Sequence, residues 1–169
     1  MRLTIDQTWN GQAVGDDEEV VLSLVGARHH LMVQIDAPYH GDPAPDGPIG
    51  SHWGLWDHEV VELFVLGEGG HYLEVELGPH GHYLVLQLGG YRHVLQTSLP
   101  LDFAARIEGD RWRGVARIDR SLLPAGPHKI NAYAIHGTGE ARRYLAWSRL
   151  QGEKPDFHLL NCFVGVELP

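Results

Sequence analysis

The chain has 169 residues, 43% of them hydrophobic, and its 13 Lys and Arg against 22 Asp and Glu leave a net charge of −9. That length and apolar content suit one ordinary core, so a single domain over residues 1–169 is expected, and an acidic chain with no Lys/Arg cluster excludes nucleic acid and anionic membrane as natural partners. The one cysteine, Cys162, leaves no internal disulfide. With no apolar run of about 18 residues and no signal-peptide core in the opening MRLTIDQTWNGQ, a cytoplasmic protein is expected.

Period-2 alternation starts at once. Arg2–Thr8, Glu19–Val25 and His30–Ala37 read as strands, with a turn at Gly15–Asp17. Pro38–Ser51 holds four of the ten prolines and reads as a long loop, a place where function or mobility concentrates. Strands follow at Glu59–Leu66, His71–Gly78, Tyr83–Leu88 and Tyr91–Thr97, joined through Gly67–Gly70, Gly78–Gly81 and Gly89–Gly90. Asp102–Glu108, Arg111–Asp119, His128–His136 and Ala141–Trp147 complete the set. Helix is confined to a short turn at Asp119–Pro124 and another starting near Asp156. About ten short strands with tight turns and little helix predict an all-β, antiparallel sandwich.

One face in the middle of the chain carries unusual charge. Val61, Leu63 and Val65 point one way and Val60, Glu62 and Phe64 the other; the next strand divides into Leu73, Val75, Leu77 and Tyr72, Glu74, Glu76. A hairpin through Gly67–Gly70 that keeps both apolar sets together must put Glu62 opposite Glu74 or Glu76. Opposed carboxylates repel and raise a pKa unless an arginine, a cation or a polar ligand compensates. Arg92, Arg113, Arg117, Lys129 and Arg143 are the basic residues that could neutralise such a face. Placing Leu84, Leu86 and Leu88 in the core adds Tyr83, Val85 and Gln87 to the acidic side. Carboxylates, tyrosines and an amide on one surface suit a sugar or other polyol, whose hydroxyls pair with the polar groups while its C–H faces lie on rings.

The same residues carry a family resemblance. Leu55-Trp56-Asp57-His58-Glu59-Val60-Val61-Glu62-Leu63-Phe64, then Tyr72-Leu73-Glu74-Val75-Glu76-Leu77 and the Pro79-His80-Gly81 turn, resemble the core signature of family 9 carbohydrate-binding modules and the wider DOMON-like sandwiches. Ala146-Trp147-Ser148, Pro155-Asp156-Phe157-His158 and Phe163-Val164-Gly165-Val166 extend the likeness. Still closer, the Tyr72–Gly81 phrase, Ala134-Ile135-His136-Gly137 and Lys154-Pro155-Asp156-Phe157-His158 resemble a family of small uncharacterised proteins of bacteria and animals. The resemblance implies a sandwich that holds sugar between aromatic platforms, with Trp53, Trp56 and Trp147 as the candidates. Haem binding by some DOMON sandwiches needs a methionine, and Met32 between Leu31 and Val33 reads as packing.

The twelve histidines include His71, His80 and His82, but neither a His-Glu-x-x-His motif nor a Cys pair accompanies them, so no metal and no cofactor is expected. The reading is a small carbohydrate-like ligand stacked by Trp53 and Trp56 and hydrogen-bonded by Glu62, Glu74 and Glu76. Tyr72, Tyr83 and Gln87 assist, and His136, Trp147 and His158 close the pocket. Two alternatives stand beside it. One is a small hydrolase or isomerase using those carboxylates with His136 or His158. The other is an interaction module whose acidic face meets a basic partner.

Overall fold

In the computed structural model, which describes residues 1–169, the alternating segments become β1 (Arg2–Ile5), β2 (Val20–Gly26), β3 (His30–Pro38), β4 (Val60–Leu66), β5 (His71–Leu77) and β6 (Tyr83–Gly89). They continue as β7 (Val94–Gln96), β8 (Asp102–Glu108), β9 (Arg111–Asp119), β10 (His128–His136), β11 (Arg143–Ala146) and β12 (Val164–Val166). Two antiparallel sheets result, one ordered β1-β2-β3-β9-β8 and the other β11-β10-β4-β5-β6-β7, with β12 paired to β10. The architecture is the antiparallel β-sandwich that the turn spacing predicts, and regular helix is limited to 3-10 turns of three residues.

Between the sheets lies a cluster of 23 buried residues, in which Leu22, Leu24 and Val33 meet Leu63, Val75 and Ala132. Each such side chain contributes roughly 1.5–3 kcal/mol through removal from water. In β9, Trp112, Ala116 and Ile118 point inward, while Arg111, Arg113 and Arg117 face outward onto Asp36, Glu108 and Asp102. Solvent on that side explains the regular alternation of β3 and β9.

β4 and β5 are different, being buried on both faces. Their second face joins another cluster of 13 buried residues, roofed by Leu150, Phe157 and Phe163 from the segment after β11. Phe157 stacks on Tyr133 at 3.9 Å between ring centroids, and the Tyr133 hydroxyl donates to the Phe157 carbonyl at 3.1 Å. The stacking adds about 1 kcal/mol beyond area burial.

Three expectations need correction. Across the Gly78–Gly81 turn, Leu77 pairs with Tyr83, Val75 with Val85 and Leu73 with Gln87. Tyr83, Val85 and Gln87 therefore face the other sheet, and Leu84, Leu86 and Leu88 share the side of Glu74 and Glu76; the second apolar cluster is where these leucines go. Gln87 donates to the Leu122 carbonyl at 3.0 Å and the Tyr83 hydroxyl accepts from Leu101 N–H at 3.3 Å, which satisfies both on the inner face. Trp147 packs on the inter-sheet cluster, since it follows Ala146, whose side chain takes the opposite face.

Local turns are built from short capping bonds. The Asp119 carboxylate caps Arg120–Leu122 by accepting from Ser121 N–H at 2.8 Å. Near Asp156 the 3-10 turn comes later, at Leu160–Cys162, because Asp156 itself spans a bend by accepting from His158 N–H at 3.1 Å. The proline-rich loop is tethered by buried Glu59, which accepts from His40 N–H at 3.1 Å and Asp42 N–H at 3.4 Å.

Candidate functional site

The acidic strands meet in the predicted register, with Glu62 directly opposite Glu76 and Phe64 opposite Glu74. On the other side of β4, Tyr133 faces Glu62. All three carboxyls are buried, with exposures of 2% for Glu62, 4% for Glu74 and 0% for Glu76. The sequence allows a wet face; the roof over β4 and β5 removes that option.

None of the three has an arginine in hydrogen-bonding contact. Arg92 pairs with Asp156 at 2.9 Å, Arg143 with Glu18 at 2.7 Å, and Arg113 and Arg117 belong to the outer face of the first sheet. Burial, then the charge of Glu74, pushes Glu62 well above the ordinary carboxylate range against a pull from Arg142. Glu76 is raised likewise by burial and by both neighbours. Burial raises Glu74 to about 7, against downward pulls from neighbouring Glu76 and from Arg92. No N–H or O–H of another residue type reaches Oε2 of Glu74 or either oxygen of Glu76. Their compensation is a carboxyl proton, so the cluster carries far less than three negative charges at neutral pH.

Above these groups lies a cavity of ≈ 360 Å³. Its volume falls at the lower end of the roughly 300–1,000 Å³ typical of small-molecule sites. Glu62 and Glu74 form its polar floor, beside Leu86 and Leu88. Trp53, Trp56 and Tyr144 give aromatic walls, and Phe157 and His158 the roof. The two tryptophans meet edge to face at 5.1 Å, around a 3-10 turn of Leu55–Asp57 that starts after Gly54 at φ 87°, a conformation glycine adopts without a Cβ clash. Trp53 is 59% exposed, which leaves its ring free at the mouth.

Fixed hydrogen bonds shape the rim. Arg142 spends its guanidinium on carbonyls, reaching Gly137 at 2.9 Å and also Trp56, and so ties the tryptophan turn to the start of β11. Asp156 accepts from the Tyr91 hydroxyl at 2.7 Å and from Arg92, clamping the roof to the turn after β6. Arg92 has φ 55°, an uncommon conformation for a side-chain-bearing residue, and its N–H donates to the Tyr72 hydroxyl at 3.3 Å. That hydroxyl lies 2.7 Å from His158 Nδ1. Nδ1 is the one acceptor within its reach, so the hydroxyl proton points there and His158 keeps its proton on Nε2. Burial and Arg92 lower His158 to about 4, so it is a neutral ring with one free donor.

Of the residues singled out in sequence, Trp53, Trp56, Glu62, Glu74 and His158 line one cavity, with Tyr72 and Glu76 directly behind it. Tyr83, Gln87 and Trp147 are elsewhere, as described. His136 shares its face with Ala132 and Ala134, away from the site, where it stacks on His40 at 3.5 Å and contacts Glu18 at 3.0 Å. Arg142, Tyr144, Leu86 and Leu88 also line the cavity, and sequence reasoning does not mark them for the site. Phe157 and Asp156 belonged to a motif already noted, whereas a basic and an aromatic residue opening β11 carry no local signal.

Solved structures of carbohydrate-binding-module type share this antiparallel β-sandwich fold. The chain aligns with a Bacteroides uniformis protein proposed to bind carbohydrate, at TM-score 0.77 and 18% identity over 97% of this chain and 84% of that one. It also aligns with a family 9 carbohydrate-binding module of Caldicellulosiruptor kristjanssonii solved with glucose, at TM-score 0.56 and 12% identity over 95% of this chain and 77% of that one. No protein-family model matches. The chain belongs to the UPF0462 family: it is 41% identical to the human UPF0462 protein C4orf33 over 96% of this chain and 86% of that protein. The Danio rerio homolog is 40% identical over 96% and 87%. No helix is long and apolar enough to cross a membrane.

Proposed function

We propose that this protein binds a small carbohydrate or related polyol in the cavity over β4 and β5. The observation that carries the reading is the meeting, in one cavity, of buried carboxyls that no arginine hydrogen-bonds and aromatic walls. Protonated and ionised carboxyls together offer both donors and acceptors, and so does a sugar hydroxyl. The Nε2–H of His158 adds a donor from the roof. Trp53, Trp56 and Tyr144 supply faces for the apolar side of a pyranose ring. The sugar complexes of the Caldicellulosiruptor kristjanssonii module support the choice of ligand class.

The test is tryptophan fluorescence and calorimetry with a panel of monosaccharides, disaccharides and linear polyols. A saturable response lost by more than tenfold in Trp56→Ala is expected, since removing an aromatic wall costs on the order of 1–3 kcal/mol. No response to any member of the panel refutes the reading.

A further inference from the structure

The carboxyl floor is built in a way that simple retention of a sugar does not require. Ionised carboxylates hydrogen-bond roughly twice as strongly as neutral acceptors, so a site selected only for grip gains by keeping its carboxyls charged. Here Glu62 and Glu74 are buried without a hydrogen-bonded cationic partner, both facing a cavity that Arg92 and Arg142 also line. They stand diagonally on adjacent strands, because Glu62 pairs with Glu76 and Phe64 with Glu74. Diagonal neighbours have Cα atoms about 7–8 Å apart and side chains somewhat closer. Two carboxyls at that spacing, rising from one sheet face, reach adjacent oxygens on the same edge of a ligand.

We propose that the cavity, beyond binding a reducing monosaccharide, interconverts its anomers, with Glu62 and Glu74 as the acid and base. The inference rests on the binding reading above. The ionised carboxylate of Glu74 takes the proton from the anomeric hydroxyl O1. The O1–H electron pair becomes the second bond of the C1 carbonyl as the C1–O5 bond breaks, its pair goes to O5, and O5 takes the proton from the Glu62 carboxyl. Rotation about C1–C2 presents the other carbonyl face. O5 then attacks C1 while Glu74 returns its proton to O1 and Glu62 recovers its proton from O5. One proton moves each way per step, so the cluster never changes its net charge, and no oxidant, metal or second substrate is needed. A buried site that cannot carry another charge is suited to this exchange.

His158 is a positioning residue here, its ring fixed by the Tyr72 hydroxyl at 2.7 Å.

The pH dependence follows from the groups around the pair. Glu76 and Tyr72 on β5, Tyr133 on β10, and Asp57 and Arg142 at the tryptophan turn and the start of β11 surround it, with Arg92, Asp156 and His158 at the roof. The pair works when it holds one proton. The rate therefore rises as the pair gives up its first proton and falls as it gives up its second, both steps displaced upward by burial.

The experiment uses the full chain and freshly dissolved α-anomers of glucose, galactose, mannose and xylose. Polarimetry or NMR exchange between the anomeric protons measures interconversion, and saturation-transfer difference spectra on the same samples measure binding. The expected result is about 100-fold acceleration over buffer for at least one sugar, at the lower end of what acid–base catalysis supplies. Glu62→Gln and Glu74→Gln each abolish that gain while binding signals persist, and Gln87→Ala, on the opposite face, leaves it unchanged. Binding without acceleration at any pH from about 5 to 9 overturns this inference and leaves the binding function standing. Neither binding nor acceleration overturns both. Acceleration that survives in the Glu62→Gln, Glu74→Gln double variant also overturns it, since the catalyst is then the protein surface acting as a buffer.

Discussion

Replacing Glu74 by glutamine tests whether the floor of the cavity holds its protons. Burial pushes the carboxyl up to about 7 in the folded protein against 4.5 when free, in spite of downward pulls from Glu76 and Arg92. A group with a raised folded pKa favours the folded state while it is protonated and loses that contribution as pH rises through the folded value. A difference of about 2.5 units corresponds to about 3 kcal/mol, most of it lost between about pH 5 and pH 8. Glutamine is nearly isosteric and does not titrate. The stability of Glu74→Gln relative to the wild type should therefore rise by a few kcal/mol, on the order of 2–3, from about pH 5 to pH 8. Urea unfolding followed by tryptophan fluorescence at the two pH values gives the difference, and contributions of other titrating groups largely cancel in it. Relative stability that stays constant within about 0.5 kcal/mol would show that Glu74 is ionised throughout and that a basic partner or water reaches it.

Other perturbations separate the roof, the inner face and the distant histidine pair. Phe157→Ala removes the ring stacked on Tyr133 and should cost about 3–5 kcal/mol in urea unfolding, and by freeing His158 it should also weaken sugar binding. Gln87→Ala should cost about 1 kcal/mol by leaving the Leu122 carbonyl unpaired and should leave ligand affinity unchanged; a loss of affinity would place Gln87 on the cavity face after all. Glu18→Gln should cost about 1–3 kcal/mol near neutral pH by removing the carboxylate that Arg143 and His136 share. Because Arg143 chiefly holds Glu18 below its ordinary 4.5, that cost should shrink as pH falls through the lowered value, measured as the gap between wild-type and variant unfolding curves.

Much of the sandwich is written in local pattern. Alternation and glycine-containing turns locate most strands to within a residue or two, although Tyr91–Thr97 shortens to Val94–Gln96 and Arg2–Thr8 continues past Ile5 only as isolated bridges at Gln7 and Thr8. The hairpin parity of β4 and β5 is also local, since a one-residue slip would turn Leu63 and Val75 out of the inter-sheet core. That parity by itself places Glu62 against Glu76. The β5–β6 hairpin is where the same reasoning fails. Leucine at 84, 86 and 88 and the Tyr83, Val85, Gln87 set both contain apolar residues, and choosing between them requires knowing that the outer face is also covered.

Tertiary structure alone decides that coverage. The chain from Leu150 to Phe163 is poor in alternation, yet it crosses the outer face of the second sheet and seals it through Phe157, Phe163 and the clamp of Asp156 to Tyr91 and Arg92. Sequence places three carboxylates on one surface; contacts 80 or more residues apart, such as Tyr72 with His158, remove that surface from water. Desolvation then turns a charged strand face into a floor of protonated carboxyls, because a low-dielectric site without a basic partner holds a proton more readily than a charge. The strand period is a property of neighbouring residues and is legible in them. The protonation state, the cavity and the separation of His136 and Trp147 from it depend on which distant segment covers which face.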